Sequence, residues 1–84
     1  MNGNDLERVA FGLGCAPQEA KVAALAIQGK QNKQIAKEMN LKMGAVKTYL
    51  ARISQRTGTS GRVELAAHIF AHAVALREQE KERQ

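Results

Sequence analysis

Aromatic residues, proline and cysteine are scarce in this sequence. Its 84 residues include no tryptophan, one tyrosine, two phenylalanines, one proline and one cysteine. A core with so few aromatic side chains depends on Ala, Val, Leu, Ile and Met, which suits closely packed helices. The single cysteine, Cys15, excludes an internal disulfide, which is typical of a protein in a reducing compartment. The length predicts one small domain, near the size at which a single core is just sufficient.

Strand patterns and long apolar runs are also missing. No segment alternates apolar and polar residues as a half-buried strand does. The longest strongly apolar run, 63–76, is interrupted by Glu64, His68 and His72, so it is too short and too polar to span a bilayer. Asp5 and Glu7 lie where a signal peptide would be basic and then apolar. We therefore expect an all-α protein located in the cytoplasm, with no membrane partner.

Acidic residues are almost absent from the middle of the chain. Between Lys30 and Arg62 the sequence has eight basic residues and one acidic residue, Glu38, a net charge of +7. The rest of the chain carries a net −2, since the whole chain carries +5. A basic block inside a folded pattern predicts a surface that binds a polyanion. The alternative is a solvated, lysine-rich helix face.

Apolar spacing and turn residues predict two helices before this basic block. Asn4 can cap the first helix, with Glu7 three positions later as in a capping box. Pro17 is typical of the first residue of a helix and Gly29 of a helix end, so these residues bound the second helix. The residues expected to face the core from these two helices are Leu6, Val9, Ala10, Leu13, Val22, Leu25 and Ala26.

Three further helices are predicted after Gly29, giving a small bundle of four to five helices. The third runs from residue 31 or 32 to about residue 40, and a tight turn at 41–43 leads to the fourth. Thr57 ends the fourth helix, with Gly58 in a left-handed cap. The fifth begins at residue 60 or 61 and ends near Leu76, and we expect the polar residues that follow to fray or to be disordered. The core-facing residues of the third helix are Ile35, Ala36 and Met39.

The third and fourth helices form a helix-turn-helix, whose second helix can lie in the major groove of DNA. Val46, Leu50 and Ile53 recur at i, i+4 and i+7, so this face points to the core. The opposite face is small in the middle and basic at its edges. Small residues allow close approach to the groove, and cations at the edges reach phosphates or guanine. This outward face consists of Gly44, Thr48, Ala51 and Gln55, flanked by Lys47 and Arg52.

Several short motifs occur in a fixed order along these helices. Pro17 and Glu19 open the second helix and Gly29 ends it, followed by "NKQIA", "AVKTYL", "RTG" and "GRVELAA". In this order they resemble the DNA-binding domain of LuxR-type regulators, also called the GerE-like helix-turn-helix, over roughly residues 15–72. The predicted divisions are a short N-terminal helical extension at 1–14, the LuxR-type domain at 15–76 and a polar C-terminal tail at 77–84.

The resemblance implies roles for individual residues. Lys47, Thr48 and Ala51 occupy base-facing positions, and Lys33 and Lys47 lie near phosphates. This chain departs from the family pattern at Ala16, Lys42, Ala45 and Tyr49, where Thr, Ser, Thr and His are usual. Lys42 therefore lacks a side-chain cap but adds a cation at the start of the recognition helix, about 43–57. The complete predicted DNA-binding set is Lys33, Lys42, Met43, Gly44, Lys47, Thr48, Ala51, Arg52 and Gln55.

The last helix is apolar over more of its circumference than a single core requires. We expect an inward stripe of Ala66, Ile69, Phe70 and Ala73, with Leu65 and Leu76 on one flank. LuxR-type domains pair through this helix, so the resemblance implies a homodimer. The alternative is that the first helix covers the surface through Leu6, Val9 and Leu13. The predicted dimerisation residues are Val63, Ala67, Phe70, Ala71 and Val74.

No residues suggest an enzyme, a metal or another cofactor. Neither a Ser/His/Asp arrangement, a pair of catalytic acids nor a glycine-rich phosphate loop is present. Cys15 lies near a helix start, where it is either a reactive thiol or, as we favour, a small apolar core residue. His68 and His72 have the i, i+4 spacing of zinc ligands, but no further ligand is evident, which favours solvent-facing histidines.

Three functions therefore compete. The leading hypothesis is a bacterial or phage transcriptional regulator that binds a two-fold symmetric site on double-stranded DNA as a homodimer. The alternative is a small interaction protein that forms a heterodimer with a full-length LuxR-type regulator and blocks it. A third hypothesis is that the chain is a sigma-factor region four, which shares the fold but requires polymerase contacts that the sequence does not reveal.

Overall fold

The computed structural model describes the backbone of residues 3–82 and the side chains of residues 3–79. Within these residues the chain forms five α-helices and no strand. The all-α class and the small helical bundle are therefore confirmed. In chain order the helices are α1 (Gly3–Gly12), α2 (Pro17–Ile27), α3 (Asn32–Met39), α4 (Met43–Thr57) and α5 (Arg62–Glu82).

The predicted cap at Asn4 is wrong, because Asn4 lies inside α1 rather than before it. The first turn of α1 lies against the end of α2, since a Cβ atom at Gly3 would be 3.2 Å from the side-chain nitrogen of Gln28. Packing against this neighbour extends the helix beyond the residue that local capping preference indicates. The predicted apolar face of α1 is confirmed, because Leu6, Val9 and Ala10 are buried.

The start and end of α2 follow the sequence prediction. Pro17 is its first residue, and Ala16 before it provides no side-chain cap. The Ala16 N–H instead donates to the Glu19 carboxylate at 2.8 Å, which satisfies one of the free amides at the helix start. After the helix, Gly29 has φ of 88°, a left-handed conformation that glycine adopts without strain.

Helix α2 lies at the centre of the bundle and contacts all four other helices. Helices α1 and α5 pack against it and against each other, and α3 and α4 do the same. Its buried alanines let neighbouring backbones approach closely, so the core forms without large aromatic side chains. The largest fully buried side chains are Val22, Ile35, Val46, Ile53 and Ile69.

Two predictions about α5 are wrong. The helix continues to Glu82 instead of ending near Leu76, because the residues that follow Leu76 are Arg, Glu, Gln and Lys, which favour helix. Its buried stripe is Leu65, Ile69 and Ala73, whereas Phe70, predicted to face inward, is exposed. An apolar pattern on almost every side of a helix does not determine which side faces the core. Packing against α1 and α2 determines which side of α5 is buried.

Candidate nucleic-acid interface

Helices α3 and α4 are joined by the three residues Asn40, Leu41 and Lys42. Asn40 adopts a left-handed conformation with φ of 55°, and the Leu41 N–H donates to the Ala36 carbonyl at 2.8 Å. Asn tolerates this conformation better than most residues, so the chain turns sharply after α3. Lys42 is then extended, with φ of −78° and ψ of 156°, and α4 begins at Met43. The predicted helix-turn-helix is therefore present.

The buried face of α4 agrees with the predicted helix phase. Val46 and Ile53 are fully buried, and Leu50 is partly buried against the same core. This packing fixes the rotation of α4 about its axis and so determines which residues face outward. The α4 residues of the predicted DNA-binding set are all exposed, namely Met43, Gly44, Lys47, Thr48, Ala51, Arg52 and Gln55.

The centre of this exposed face carries few hydrogen-bonding groups. Thr48 donates its hydroxyl proton to the Gly44 carbonyl at 3.0 Å, which leaves the hydroxyl lone pairs and the methyl group for other contacts. Ala51 offers only a methyl group, and Gly44 offers no side chain. Such a surface can approach the floor of a groove closely, and its methyl groups can contact thymine.

Three residues of the basic block have partners within the protein. Lys30 Nζ lies 3.6 Å from Glu38 Oε1, and Arg56 Nε lies 2.6 Å from Glu19 Oε1. Arg62 donates hydrogen bonds to the Lys30 carbonyl and to the Asn32 side-chain oxygen. Arg56 and Arg62 therefore stabilise contacts within the fold, whereas Lys30 forms an ion pair that is exposed to solvent.

The other five basic residues of the block have no ion pair or hydrogen bond to any residue whose side chain is described. All five are exposed, and they extend from α3 through the turn into α4. The sequence prediction included four of them but missed Lys37. Its position four residues after Lys33 places it on the same face of α3, and this spacing could have identified it. These unpaired cations are Lys33, Lys37, Lys42, Lys47 and Arg52, of which Arg52 also helps to lower the pKa of Glu19 through its charge.

Glu19 is a buried carboxylate that stabilises the position of α4. Burial raises the pKa of Glu19, but the Ala16 N–H and the adjacent Arg56 guanidinium outweigh this effect and hold the pKa below its ordinary value of 4.5. The ionised carboxylate therefore links the first turn of α2 to the last turn of α4. The sequence placed Glu19 at the positive end of α2 but did not reveal Arg56 as its partner.

Cys15 packs in the core, as the favoured interpretation of the sequence had it. Its side chain is buried, and burial together with the negative charge of Glu19 raises the pKa of the thiol despite the opposing charge of Arg56. A thiol with a raised pKa is a poor nucleophile. On α5, His68 is exposed and His72 is partly exposed. Within the described residues, no three His, Cys, Asp or Glu side chains lie close enough together to hold a metal ion.

The predicted dimerisation residues of α5 form an exposed apolar stripe. Val63 is 88% exposed, Phe70 43% and Val74 55%, and Ala67 and Ala71 are also exposed. Helix α1 packs against α2 and α5, but it leaves these side chains uncovered. The alternative in which α1 covers this surface within one chain is therefore wrong for Val63, Phe70 and Val74. Within residues 3–82, no helix is long and apolar enough to cross a membrane.

The geometry described above defines a helix-turn-helix domain with a basic outer face. Residues 14–69 match the family described as "Bacterial regulatory proteins, luxR family". The chain is 34% identical over 62 residues to the response regulator Rre1 of Synechocystis sp. (strain ATCC 27184 / PCC 6803 / Kazusa). No solved structure shows significant similarity.

The chain therefore belongs to the luxR family, which confirms the resemblance seen in the sequence. It carries the DNA-binding domain of a family of transcription regulators. The alignment with Rre1 covers 74% of this chain and 27% of Rre1, so the chain spans about a quarter of the length of that relative.

Proposed function

We propose that this chain is a sequence-specific transcriptional regulator that binds a two-fold symmetric DNA site as a homodimer, with α4 in the major groove. The observation that carries the proposal is that the basic residues of 30–62 fall into a paired and an unpaired group. Three of these cations have partners inside the protein, and the five unpaired ones are exposed along α3, the turn and α4. Unpaired surface cations in such an arrangement favour a phosphate backbone as the partner.

Residues of the outer face divide into two roles. Thr48 and Ala51 contact base edges, because they lie on the exposed side of α4 opposite Val46 and Ile53. Lys47 reaches base edges from the edge of this face. The remaining exposed residues at this face contact phosphates or support close approach to the groove, and phosphate contacts position the domain without reading sequence. They are Lys33, Lys37, Lys42, Met43, Gly44, Arg52 and Gln55.

The exposed stripe of α5 supports pairing between two copies. Val63, Ala67, Phe70 and Val74 are spaced by four, three and four residues, which is the spacing of a seam between two helices. A two-fold axis at this seam, extended by Ala71, brings two identical recognition helices to opposite half-sites. Half-sites about 34 Å apart would then be read from one side of the duplex.

A second function is supported by the same stripe. A small protein with this surface could form a heterodimer with a full-length LuxR-type regulator and prevent that regulator from binding DNA. Ala51 provides no hydrogen-bond donor to a base, and Lys42 caps α4 without a side-chain hydrogen bond. The five unpaired cations favour DNA binding over this alternative, because a blocker does not need them.

The proposal concerns DNA binding and pairing by this domain, since the alignment covers 27% of Rre1. Binding to chromosomal or phage DNA would place the protein in the bacterial cytoplasm. Such binding requires only residues of the chain and no cofactor or metal.

The test combines selection of DNA from a random-sequence duplex library with measurement of the mass in solution. We expect enrichment of an inverted repeat and a mass of twice 9.2 kDa. A dimer that enriches no sequence would contradict the regulator and favour the blocking function. A monomer that binds an unpaired half-site would contradict the homodimer.

A further inference from the structure

The helix that carries the proposed dimer seam has little direct packing with the DNA-binding unit. Helix α5 packs against α1 and α2, whereas α3 and α4 pack against α2 and each other. The loop between α4 and α5 contains two glycines with positive φ, Gly58 at 67° and Gly61 at 91°. Thr59 is buried in this loop, and its hydroxyl lies 2.9 Å from that of Thr57, so the first part of the loop is held on α4. Both α5 and α3 pack on α2, so a direct contact between α5 and α3 would constrain their relative position further.

Arg62 provides this contact. It is the first residue of α5, and its guanidinium donates to the Lys30 carbonyl and to Asn32 Oδ1. Lys30 lies just before α3, and Asn32 is the first residue of α3. A planar guanidinium that binds two acceptors fixes direction as well as distance, which a lysine ammonium does less well. One side chain therefore connects the start of the seam helix to the start of the helix-turn-helix.

We infer that Arg62 is a positioning residue that sets the geometry between the α5 seam and the recognition helix, and thereby the half-site spacing that the dimer accepts. The inference rests on the proposed function, because it needs two copies on one duplex. In a two-fold dimer, any rotation of α3 and α4 relative to α5 occurs in both copies. The two rotations therefore change the separation of the two recognition helices by the sum of their effects.

The competing role for Arg62 is direct contact with a phosphate. The two roles differ in salt dependence. Removing a phosphate contact lowers the slope of log affinity against log salt by about one unit for each protomer, whereas removing a positioning contact leaves the slope unchanged. They also differ in binding to an isolated half-site, because a residue that sets the spacing between two half-sites has little effect on the affinity for one.

The experiment compares the full-length wild type with Arg62→Met, Asn32→Ala and Arg62→Lys. The control is Arg8→Met, which removes the same charge from an exposed position on α1. The probes are the duplex selected by the wild type, the same duplex with its half-sites moved apart by one or two base pairs, and a single half-site. We expect Arg62→Met and Asn32→Ala to lower the preference for the original spacing roughly tenfold. Arg62→Lys should retain part of it, and Arg8→Met all of it.

A second measurement needs no DNA. If Arg62 and Asn32 act through one contact, the double variant should lose no more stability in urea than the more affected single variant. Additive losses would overturn the inference even if Arg62→Met folds poorly. An unchanged spacing preference in folded Asn32→Ala, or a lower salt slope in Arg62→Met, would also overturn it while the wild type still binds a palindrome. Failure of the wild type to select any duplex would instead contradict the proposed function.

Discussion

Arg56 and Glu19 join the last turn of α4 to the first turn of α2, with Arg56 Nε 2.6 Å from Glu19 Oε1. The Glu19 side chain is only 3% exposed, while that of Arg56 is 48% exposed. The same carboxylate accepts the Ala16 N–H, so one buried group satisfies the start of α2 and also holds α4 on the central helix. This arrangement places the outward face of α4 on a rigid support.

Glu19→Gln should lower the stability of the protein and make that stability less dependent on pH. The pKa of Glu19 lies below 4.5 in the folded state, so the unfolded chain binds the proton first as the pH falls. The contribution is therefore complete above about pH 4.5 and is lost as the pH falls through the folded pKa. We expect the variant to be less stable by about 2 kcal/mol at pH 7, and the difference to shrink in acid. Urea denaturation at several pH values measures both effects.

The partner variant provides the control for this ion pair. Arg56→Met leaves the buried carboxylate without its cation and should also destabilise the protein, but the two changes should not be additive when combined. Equal stability of wild type and Glu19→Gln at pH 7 would show that the contact contributes nothing.

Lys33→Ala and Lys37→Ala should each weaken binding to all DNA sequences by a similar factor. A phosphate contact carries no sequence information, and each lost contact should lower the salt slope by about one unit per protomer. Lys21→Ala removes the same charge from an exposed position on α2 and should leave the slope unchanged. Affinities at several salt concentrations measure this, and an unaltered slope for Lys37→Ala would exclude Lys37 from the interface.

Thr48→Ala should change base preference and leave the fold intact, because Thr48 is exposed on the outward face of α4. Loss of its hydroxyl and methyl contacts should cost about 1 kcal/mol at one base pair. Thr48→Val separates the two groups, since it retains methyl contact but has no hydroxyl. Binding-site selection with each variant measures the preference, and a preference identical to that of the wild type would place Thr48 away from the bases. Leu50→Ala is the control for helix phase, because Leu50 packs against the core and its loss should destabilise the protein.

The helix-turn-helix could be predicted because its signals are local. Val46, Leu50 and Ile53 follow helical spacing, and Gly58 occupies the left-handed cap that its residue type favours. These preferences act within one or two turns of the chain and agree with the final packing.

Contacts between distant parts of the chain could not be predicted in the same way. Glu19 and Arg56 are separated by most of α2, α3 and α4, and no periodicity identifies two such residues as partners. The prediction of the inward face of α5 failed for a related reason. Phe70 and Leu65 both satisfy the apolar pattern, and only contact with α1 and α2 selects Leu65 for burial.

Val74→Glu should weaken the dimer without unfolding the monomer. Val74 is 55% exposed and lies off the buried stripe of α5, so the charge is tolerated in one chain but is costly when buried between two. We expect the dimer dissociation constant to rise at least about tenfold. The control is Gln79→Glu, an exposed residue about 140° further round the same helix. Sedimentation at several concentrations measures the change, and an unaffected dimer would place the seam elsewhere.

The pair Lys47→Ala and Val74→Glu should separate the two proposed functions when each is assayed on promoter output in cells. A DNA-binding homodimer needs both residues, because Lys47 lies at the outward face of α4 and Val74 lies in the apolar stripe of α5. We therefore expect each variant to lose regulation, while Lys21→Ala retains it. A protein that blocks another LuxR-type regulator needs only the α5 surface, so it would tolerate Lys47→Ala and fail with Val74→Glu. Full activity of a stably folded Lys47→Ala variant would therefore contradict the proposed DNA-binding function and favour the blocking function.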